Sequence, residues 1–135
     1  MSKHYSVGAI IIRSDRYLLI DRVKFPFGYA CVAGHRNPDE TDEEAVDREV
    51  IEETKLVVVR KKLVYTEVVP WNTCSKGINV HDWKVYECDA TGDVLIDPGE
   101  AKSYGWYTRE EIYNLNLEPV WKYFFEKLGI LGRNF

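Results

Sequence analysis

Short runs of β-branched and aromatic residues, separated by polar turns, occupy most of this 135-residue chain. Such runs predict strands, because branched and aromatic side chains pack well on a pleated, half-buried surface. The first two runs are joined by the polar turn Ser14-Asp15-Arg16, so we expect the chain to open with a hairpin. Loops rich in proline and glycine are predicted at 24–28 and 93–99. The predicted strands cover residues 5–13, 17–23, 29–33, 56–69, 78–90 and 105–107.

Three helices are predicted among these strands. Thr41 and Glu44 form a capping box at the start of the first, and acidic residues follow in its first turn. Thr108 caps the second, which extends to residue 115. Strands joined by hairpins and mixed with helices indicate an α/β or α+β domain, with a mixed sheet covered by helices on both faces.

The closing helix is predicted over residues 119–128. Val120, Phe124 and Leu128 recur at helical spacing, so we expect that face to join the core. Trp121 and Phe125 lie beside that face, which makes them candidates for a contact in a homodimer.

Length and composition describe one folded domain. The chain is long enough for one core, and 30% charged with 45% hydrophobic residues excludes a disordered protein. The longest apolar run, 7–12, is far shorter than the roughly 20 residues of a membrane span, and no secretory signal is recognisable. The three cysteines, Cys31, Cys74 and Cys88, form no CxxC pair, which favours buried free thiols in a reducing cytoplasm.

The candidate chemistry lies on the first helix. On a helical wheel, Glu49, Glu52 and Glu53 share one face, and that face adjoins the apolar stripe. A solvated face, the common interpretation of a charged helix, would place its charges opposite the core. Because carboxylates beside a core repel one another and are costly to desolvate, we expect a cation among them. Clustered oxygen ligands without histidine or cysteine favour Mg²⁺ or Mn²⁺ over zinc.

The surrounding segment, GHRNPDETDEEAVDREVIEETKL, resembles the Nudix box. That box is a glycine, five residues, a glutamate, seven residues, Arg-Glu, an aliphatic residue, any residue, Glu-Glu, any residue, a glycine and an aliphatic residue. The matching positions in register are Gly34, Glu40, Arg48, Glu49, Val50, Glu52, Glu53 and Leu56. The resemblance to Nudix hydrolases extends beyond the box. It includes the opening hairpin, the Pro-x-Gly-aromatic segment from Pro26 to Tyr29 and the segment that begins at Trp106. The resemblance implies a Nudix-type α/β/α sandwich, as a single domain over residues 1–135.

Two positions depart from the family pattern. Lys55 stands where the family has a glycine, which ends the helix in a left-handed conformation that costs other residues about 1 kcal/mol. Either Lys55 accepts that cost, or the helix leaves by a different turn. His35 stands where many members have a second glycine, and it is either a substrate contact or an ordinary loop residue.

The resemblance implies the activity and the metal site. Family members hydrolyse a nucleoside diphosphate linked to another moiety, by attack of water on phosphorus, with Mg²⁺ as the cofactor and Mn²⁺ as an alternative. It makes Glu49 and Glu53 direct metal ligands. Glu52 is implied as a ligand to a further metal or as the catalytic base. The backbone carbonyl of Gly34 is a candidate for an additional ligand.

Further candidate residues lie around the box. Arg48 is expected to orient the carboxylates, by pairing with Glu40, while a purely structural pairing with Glu44 is the alternative. Glu100, in the loop before Trp106, is the candidate general base or else an ordinary loop acid. Arg22, which ends the second strand, is the candidate phosphate contact or else a surface arginine.

The charge distribution narrows the class of partner. The formal net charge of −4 argues at first against anionic partners. However, nine of the 22 acidic residues lie between residues 39 and 53 with only Arg48 to offset them, and the remaining chain carries +4. A small diphosphate substrate bridged by metal therefore fits, whereas no extended nucleic-acid groove and no membrane partner are expected. Candidate substrates are a nucleoside triphosphate, a nucleotide sugar or an ADP-ribose type molecule. The alternatives are a nucleotide-binding module without turnover and a purely structural acidic domain.

Overall fold

The computed structural model describes residues 3–74 and 76–132. Seven strands and three helices follow one another along this part of the chain. No helix within the described ranges is both long enough and apolar enough to cross a membrane. The elements are β1 (Lys3–Arg13), β2 (Arg16–Arg22), β3 (Tyr29–Ala30), β4 (Val32–His35), α1 (Asp42–Thr54), β5 (Val57–Val69), β6 (Val80–Thr91), β7 (Ala101–Tyr107), α2 (Arg109–Tyr113) and α3 (Pro119–Lys127).

All seven strands form one mixed sheet, and β1 links its two halves. In one half, β1 pairs antiparallel with β4 and parallel with β6, and β5 pairs with β6 at the edge. In the other half, β2 pairs with β3 and β7. A tight hairpin joins β1 to β2, and its turn residues Ser14 and Asp15 have φ of 51° and 62°. Positive φ at both central residues matches the right-handed twist of the flanking strands.

Helices cover both faces of this sheet, which confirms the predicted sandwich. Side chains of β1 alternate between the faces, as the period of a strand requires. Val7 and Ala9 lie in a core with Val46 of α1. Ile10 points the other way and joins the core that contains Phe124 of α3.

Two strand predictions need correction. The segment 29–33, expected as one strand, is interrupted at Cys31, because β3 pairs with β2 whereas β4 pairs with β1. β4 also continues to His35, so Gly34 lies inside a strand and does not end one. β7 has seven residues where three were expected, since it pairs with β2 along its length. In each case the partner strand, and not the local propensity, sets the boundaries.

The prediction that Trp121 and Phe125 form a dimer contact is wrong for these residues. Both side chains are buried. The Trp121 ring lies against Gly8 of β1, where a Cβ would overlap the indole, and its centroid is 5.9 Å from that of Trp83. α3 therefore buries more than the single predicted face, although Leu128 is only partly buried.

The ends of α1 follow the sequence closely. The capping box of Thr41 and Glu44 is formed in both directions. Lys55 has φ of 64° and donates its backbone N–H to the carbonyl of Ile51 at 3.0 Å. The helix thus keeps the left-handed exit, and Lys55 accepts a conformational cost of about 1 kcal/mol.

Candidate active site

A cleft of about 390 Å³ opens beside α1, at the edge formed by β4, the end of β2 and the turn before β7. It brings together side chains that are separated by up to 115 positions in the sequence, from Ser6 to Trp121. The residues predicted for the site all line this cleft: Arg22, Gly34, Arg48, Glu49, Glu52, Glu53 and Glu100.

Two carboxyl groups of α1 are buried in this cleft. Glu53 is 6% exposed, and the side chain of Glu49 is 14% exposed. They share a hydrogen bond, and burial raises the pKa of both. The pKa of Glu53 is raised further by this hydrogen bond, by the charge of Glu49 and by the charge of Glu100, and is lowered by Arg22. The buried pair therefore binds a proton more readily than ordinary glutamates do, because two buried carboxylates repel each other when both are ionised.

Gly34 of β4 makes room for this pair. A Cβ at position 34 would overlap the carboxylate of Glu49. The Glu49 carboxylate thus lies directly against the β4 backbone, close to the peptide group whose carbonyl is the candidate additional ligand. Only glycine permits this approach, which gives the glycine of the box a physical reason beyond chain flexibility.

Arg48 forms the hydrogen-bond network that holds the acidic face of α1. Its guanidinium donates to both carboxylate oxygens of Glu40, at 2.6 and 2.9 Å, in a two-pronged pairing. It also donates to Glu49 at 2.9 Å, to Glu52 at 3.2 Å and to the carbonyl of His35 at 2.9 Å. Arg48 pairs with Glu40, while the carboxylate of Glu44 accepts from the backbone of Thr41 in the helix cap.

Glu52 is more exposed than the buried pair. Its side chain is 57% exposed, and Arg48 is the hydrogen-bond donor to it. Its carboxylate is therefore accessible from the open side of the cleft, whereas Glu49 and Glu53 lie deeper.

Glu100 and Arg22 approach the buried pair from other elements. Glu100 pairs with Lys24 at 3.1 Å, and its charge contributes to the raised pKa of Glu53. Arg22 donates from Nε to the carbonyl of Pro26 at 2.7 Å, and its charge acts on both Glu53 and Glu118. Acidic and basic groups are therefore close together at this cleft, which suits an anion bridged by a cation.

Glu118 is a site residue that the sequence did not indicate. It is 3% exposed, and burial raises its pKa to about 7, although Arg22 opposes the shift. Its backbone N–H donates a hydrogen bond to the carbonyl of Tyr29 in β3, at 2.9 Å. Trp83 also lines the cleft, and its buried Nε1 has no hydrogen-bond partner within the described ranges. An acid before Pro119 looks like an ordinary helix start, so no local signal distinguished Glu118.

A histidine and cysteine group also borders the cleft. His35, His81 and Cys74 line it, and His4 lies 3.0 Å from His35 between Nδ1 and Nε2. Burial and the neighbouring imidazoles lower the pKa of His35 to about 4. His35 is thus part of a cluster, and not an isolated loop residue. These four residues come from four separate segments, so no sequence motif with a characteristic spacing predicted their contact.

The acidic side of the cleft fits a hard divalent cation. The carboxylate oxygens of Glu49, Glu52 and Glu53 line it, and such oxygens are the ligands that Mg²⁺ and Mn²⁺ prefer. The raised pKa values of Glu49 and Glu53 are consistent with a site that lacks enough positive charge of its own. Arg48 supplies one such charge, but it is already shared among three carboxylates.

Comparisons with known proteins identify relatives of this chain. The sequence-family model named NUDIX domain matches residues 2–128 of this chain. The chain is 31% identical to Nucleoside triphosphatase NudI of Enterobacter sp. (strain 638), over 97% of this chain and 100% of that protein. It is 34% identical to NAD-capped RNA hydrolase NudC of Salmonella schwarzengrund (strain CVM19633) over 76% of this chain, but it spans only 38% of that protein.

Solved structures show the same fold. The MutT NUDIX hydrolase from Burkholderia pseudomallei superposes with a TM-score of 0.81 at 23% identity, over 91% of this chain and 95% of that one. The NUDIX domain of Shewanella oneidensis NrtR, complexed with ADP ribose, gives a TM-score of 0.77 at 17% identity, over 94% and 86% of the two chains. Because the family model covers nearly the whole chain and a relative matched over its full length exceeds 30% identity, this chain belongs to the Nudix hydrolase family.

Proposed function

We propose that the protein hydrolyses the diphosphate linkage of a small nucleoside-containing substrate, in an Mg²⁺-dependent reaction in which water attacks phosphorus. The observation that carries this proposal is the buried carboxyl pair of Glu49 and Glu53, set against the backbone of Gly34 in a cleft that also holds basic side chains. Two like charges in that position are unfavourable unless a cation joins them.

Glu49 and Glu53 are the direct ligands in this proposal, and Glu52 and the carbonyl of Gly34 complete the set. When bound, the cation supplies charge neutralisation of the diphosphate and makes water easier to deprotonate. Mn²⁺ accepts the same oxygen donors and is expected to substitute.

The remaining residues orient the reactants and move the proton. Arg48 keeps Glu49 and Glu52 in place through its hydrogen bonds. Arg22 and Lys24 bind phosphate oxygens, and Glu100 accepts the proton of the attacking water. The ion pair between Lys24 and Glu100, at 3.1 Å, links these last two roles. Phosphate binding to Lys24 would release the Glu100 carboxylate, so that substrate itself would free the base.

A nucleoside triphosphate is the first substrate to test. The relative named as a nucleoside triphosphatase is matched over its whole length, whereas the relatives named as NAD-capped RNA hydrolases are much longer than this chain. Nucleotide sugars, ADP-ribose and NAD-capped RNA form the comparison group.

The decisive measurement is kcat/KM for each substrate of this panel, with Mg²⁺, together with identification of the products. We expect Glu53→Gln and Glu49→Gln each to lower Mg²⁺-stimulated hydrolysis by at least about 100-fold, since several kcal/mol of charge stabilisation depend on the cation. Circular dichroism is expected to show an intact fold. The control is Glu110→Gln, which neutralises an exposed carboxylate on α2.

Two outcomes would contradict the proposal. Unchanged activity in both box variants would show that the metal site is wrongly assigned. Nucleotide binding in calorimetry, without any phosphate-bearing product, would identify the chain as a binding module without turnover.

A further inference from the structure

The histidine and cysteine group at the cleft has the composition of a second metal site. His4 lies on β1, His81 on β6, His35 on β4, and Cys74 in the connection between β5 and β6. β1 lies between β4 and β6, and the sheet register sets His4 directly opposite His81 and Ser6 directly opposite His35. Residues opposite one another, or two apart on one strand, point to the same face, so the fold itself gathers these imidazoles.

The ligand atoms are close enough to share one ion. One donor atom from each of His4, Cys74 and His81 lies within 4.8 Å of the other two. His4 Nδ1 is 3.8 Å from Cys74 Sγ and 3.0 Å from His35 Nε2. In a tetrahedral zinc site, metal–ligand distances of about 2.0–2.3 Å place the ligand atoms about 3.3–3.7 Å apart. Adjustments of about 1 Å or less would therefore bring the donor atoms of His4, Cys74 and His81 into place.

His81 is already held in the orientation of a ligand. One of its ring nitrogens, Nε2, lies 3.0 Å from the carbonyl oxygen of Ile78, which can only accept, so Nε2 carries the hydrogen. Its Nδ1 then keeps a lone pair, now directed at the hydroxyl of Ser6 at 3.0 Å. A ring N–H donated to a carbonyl is the usual support of a histidine that binds metal through its other nitrogen.

The protonation state also suits metal binding. Burial lowers the pKa of both His4 and His81, which favours the neutral form of each imidazole. Neutral imidazole is the form that coordinates metal.

Cys74 differs from the other two cysteines. Cys31 and Cys88 are buried in the cores, whereas Cys74 is partly exposed at the cleft. A tight turn presents it, in which its backbone N–H donates to Ile78 and its carbonyl accepts from Gly77. Nitrogen and sulfur donors select zinc or a similar borderline-soft ion, in contrast to the oxygen donors on α1.

We propose that His4, Cys74 and His81 bind a zinc ion, with His35 beside them as the fourth donor. The ion ties the connection between β5 and β6 to β1 and thereby fixes one wall of the cleft. This site shares no proposed side-chain ligand with the carboxylate site, so its metal binding can be tested separately from the proposed hydrolysis.

Thiol accessibility tests the proposal on the full chain, first stripped of metal with a chelator. Cys74 is expected to react rapidly with a thiol reagent, while the buried Cys31 and Cys88 react slowly. One equivalent of Zn²⁺ is expected to slow the rapid phase by about tenfold or more, and Mg²⁺ is expected to leave it unchanged. Equal rates with and without Zn²⁺ would overturn the proposal.

Co²⁺ provides a spectroscopic test that does not depend on activity. Co²⁺ bound at this site is expected to give a thiolate charge-transfer band in the near ultraviolet, which Cys74→Ser abolishes. Removing one imidazole, in His4→Gln, is expected to weaken Co²⁺ affinity by about 10- to 100-fold. Glu53→Gln is the matched control, because it removes a carboxylate ligand and leaves this band intact. A band that is absent from the wild type, or that survives in Cys74→Ser, would contradict the assignment.

Discussion

Replacing Glu118 with glutamine removes one buried ionisable group, and we expect the stability of the protein to depend less on pH. Glu118 is 3% exposed at the start of α3, where its backbone is hydrogen-bonded to Tyr29. Burial raises the pKa of its carboxyl from 4.5 to about 7, even though the charge of Arg22 opposes the shift. Between pH 4.5 and about 7, the folded protein therefore keeps a proton on Glu118 that the unfolded chain has released.

The size of the effect follows from that shift. A change from 4.5 to about 7, at about 1.36 kcal/mol per pKa unit, corresponds to about 3 kcal/mol. Because the folded pKa is the higher one, this contribution to stability is fully present below pH 4.5 and is lost as pH rises through about 7. Glu118→Gln stays neutral throughout. It should match the wild type near pH 4.5 and exceed its free energy of unfolding by about 3 kcal/mol near pH 8.

Urea denaturation at a series of pH values measures this difference, with a chelator present so that bound metal does not contribute. The exposed carboxylate of Glu110 supplies the control, since Glu110→Gln removes the same charge without removing a buried group. The difference between wild type and Glu118→Gln should grow with pH, while the difference for Glu110→Gln should stay nearly constant. Parallel curves for wild type and Glu118→Gln would refute the reasoning.

Three further substitutions test the helix exit, the glycine of the box and the core. Lys55→Gly should raise the free energy of unfolding by up to about 1 kcal/mol in urea denaturation by relieving the left-handed conformation, whereas Lys55→Ala should bring no gain. Gly34→Ala places a methyl group against the Glu49 carboxylate, so calorimetry should show that the affinity for Mg²⁺ is reduced by about tenfold or more. An unchanged affinity would argue against this metal site. Trp121→Ala should cost about 3–5 kcal/mol in the same denaturation assay, and a loss below about 1 kcal/mol would contradict its place in the core.

Features that depend on neighbours in sequence were predictable. The capping boxes at Thr41 and Thr108 both form, because each needs only two residues three positions apart. The acidic face of α1 follows from helical periodicity, and so does its border with the apolar stripe. Arg48 pairs with Glu40 as expected, since the loop before α1 is short.

Features that depend on strand pairing were not predictable in the same way. The break at Cys31 and the length of β7 are set by which strand lies alongside, and period-two alternation carries no information about the partner. The burial of Trp121 depends on the missing side chain at Gly8, on a strand 113 positions earlier. A helical wheel drawn for α3 alone cannot predict that contact, because it carries no information about β1.

The sequence by itself determined the fold class and the carboxylate face, because both arise from local periodicity and from a motif whose ligands lie on one helix. Tertiary structure alone decided the depth at which Glu49 and Glu53 are buried, the reason for glycine at position 34, and the raised pKa of Glu118. It also decided the meeting of His4, Cys74 and His81. The physical reason is common to all of these: burial and electrostatic neighbours come from strands and loops that are distant in sequence, and only the sheet register brings them into contact.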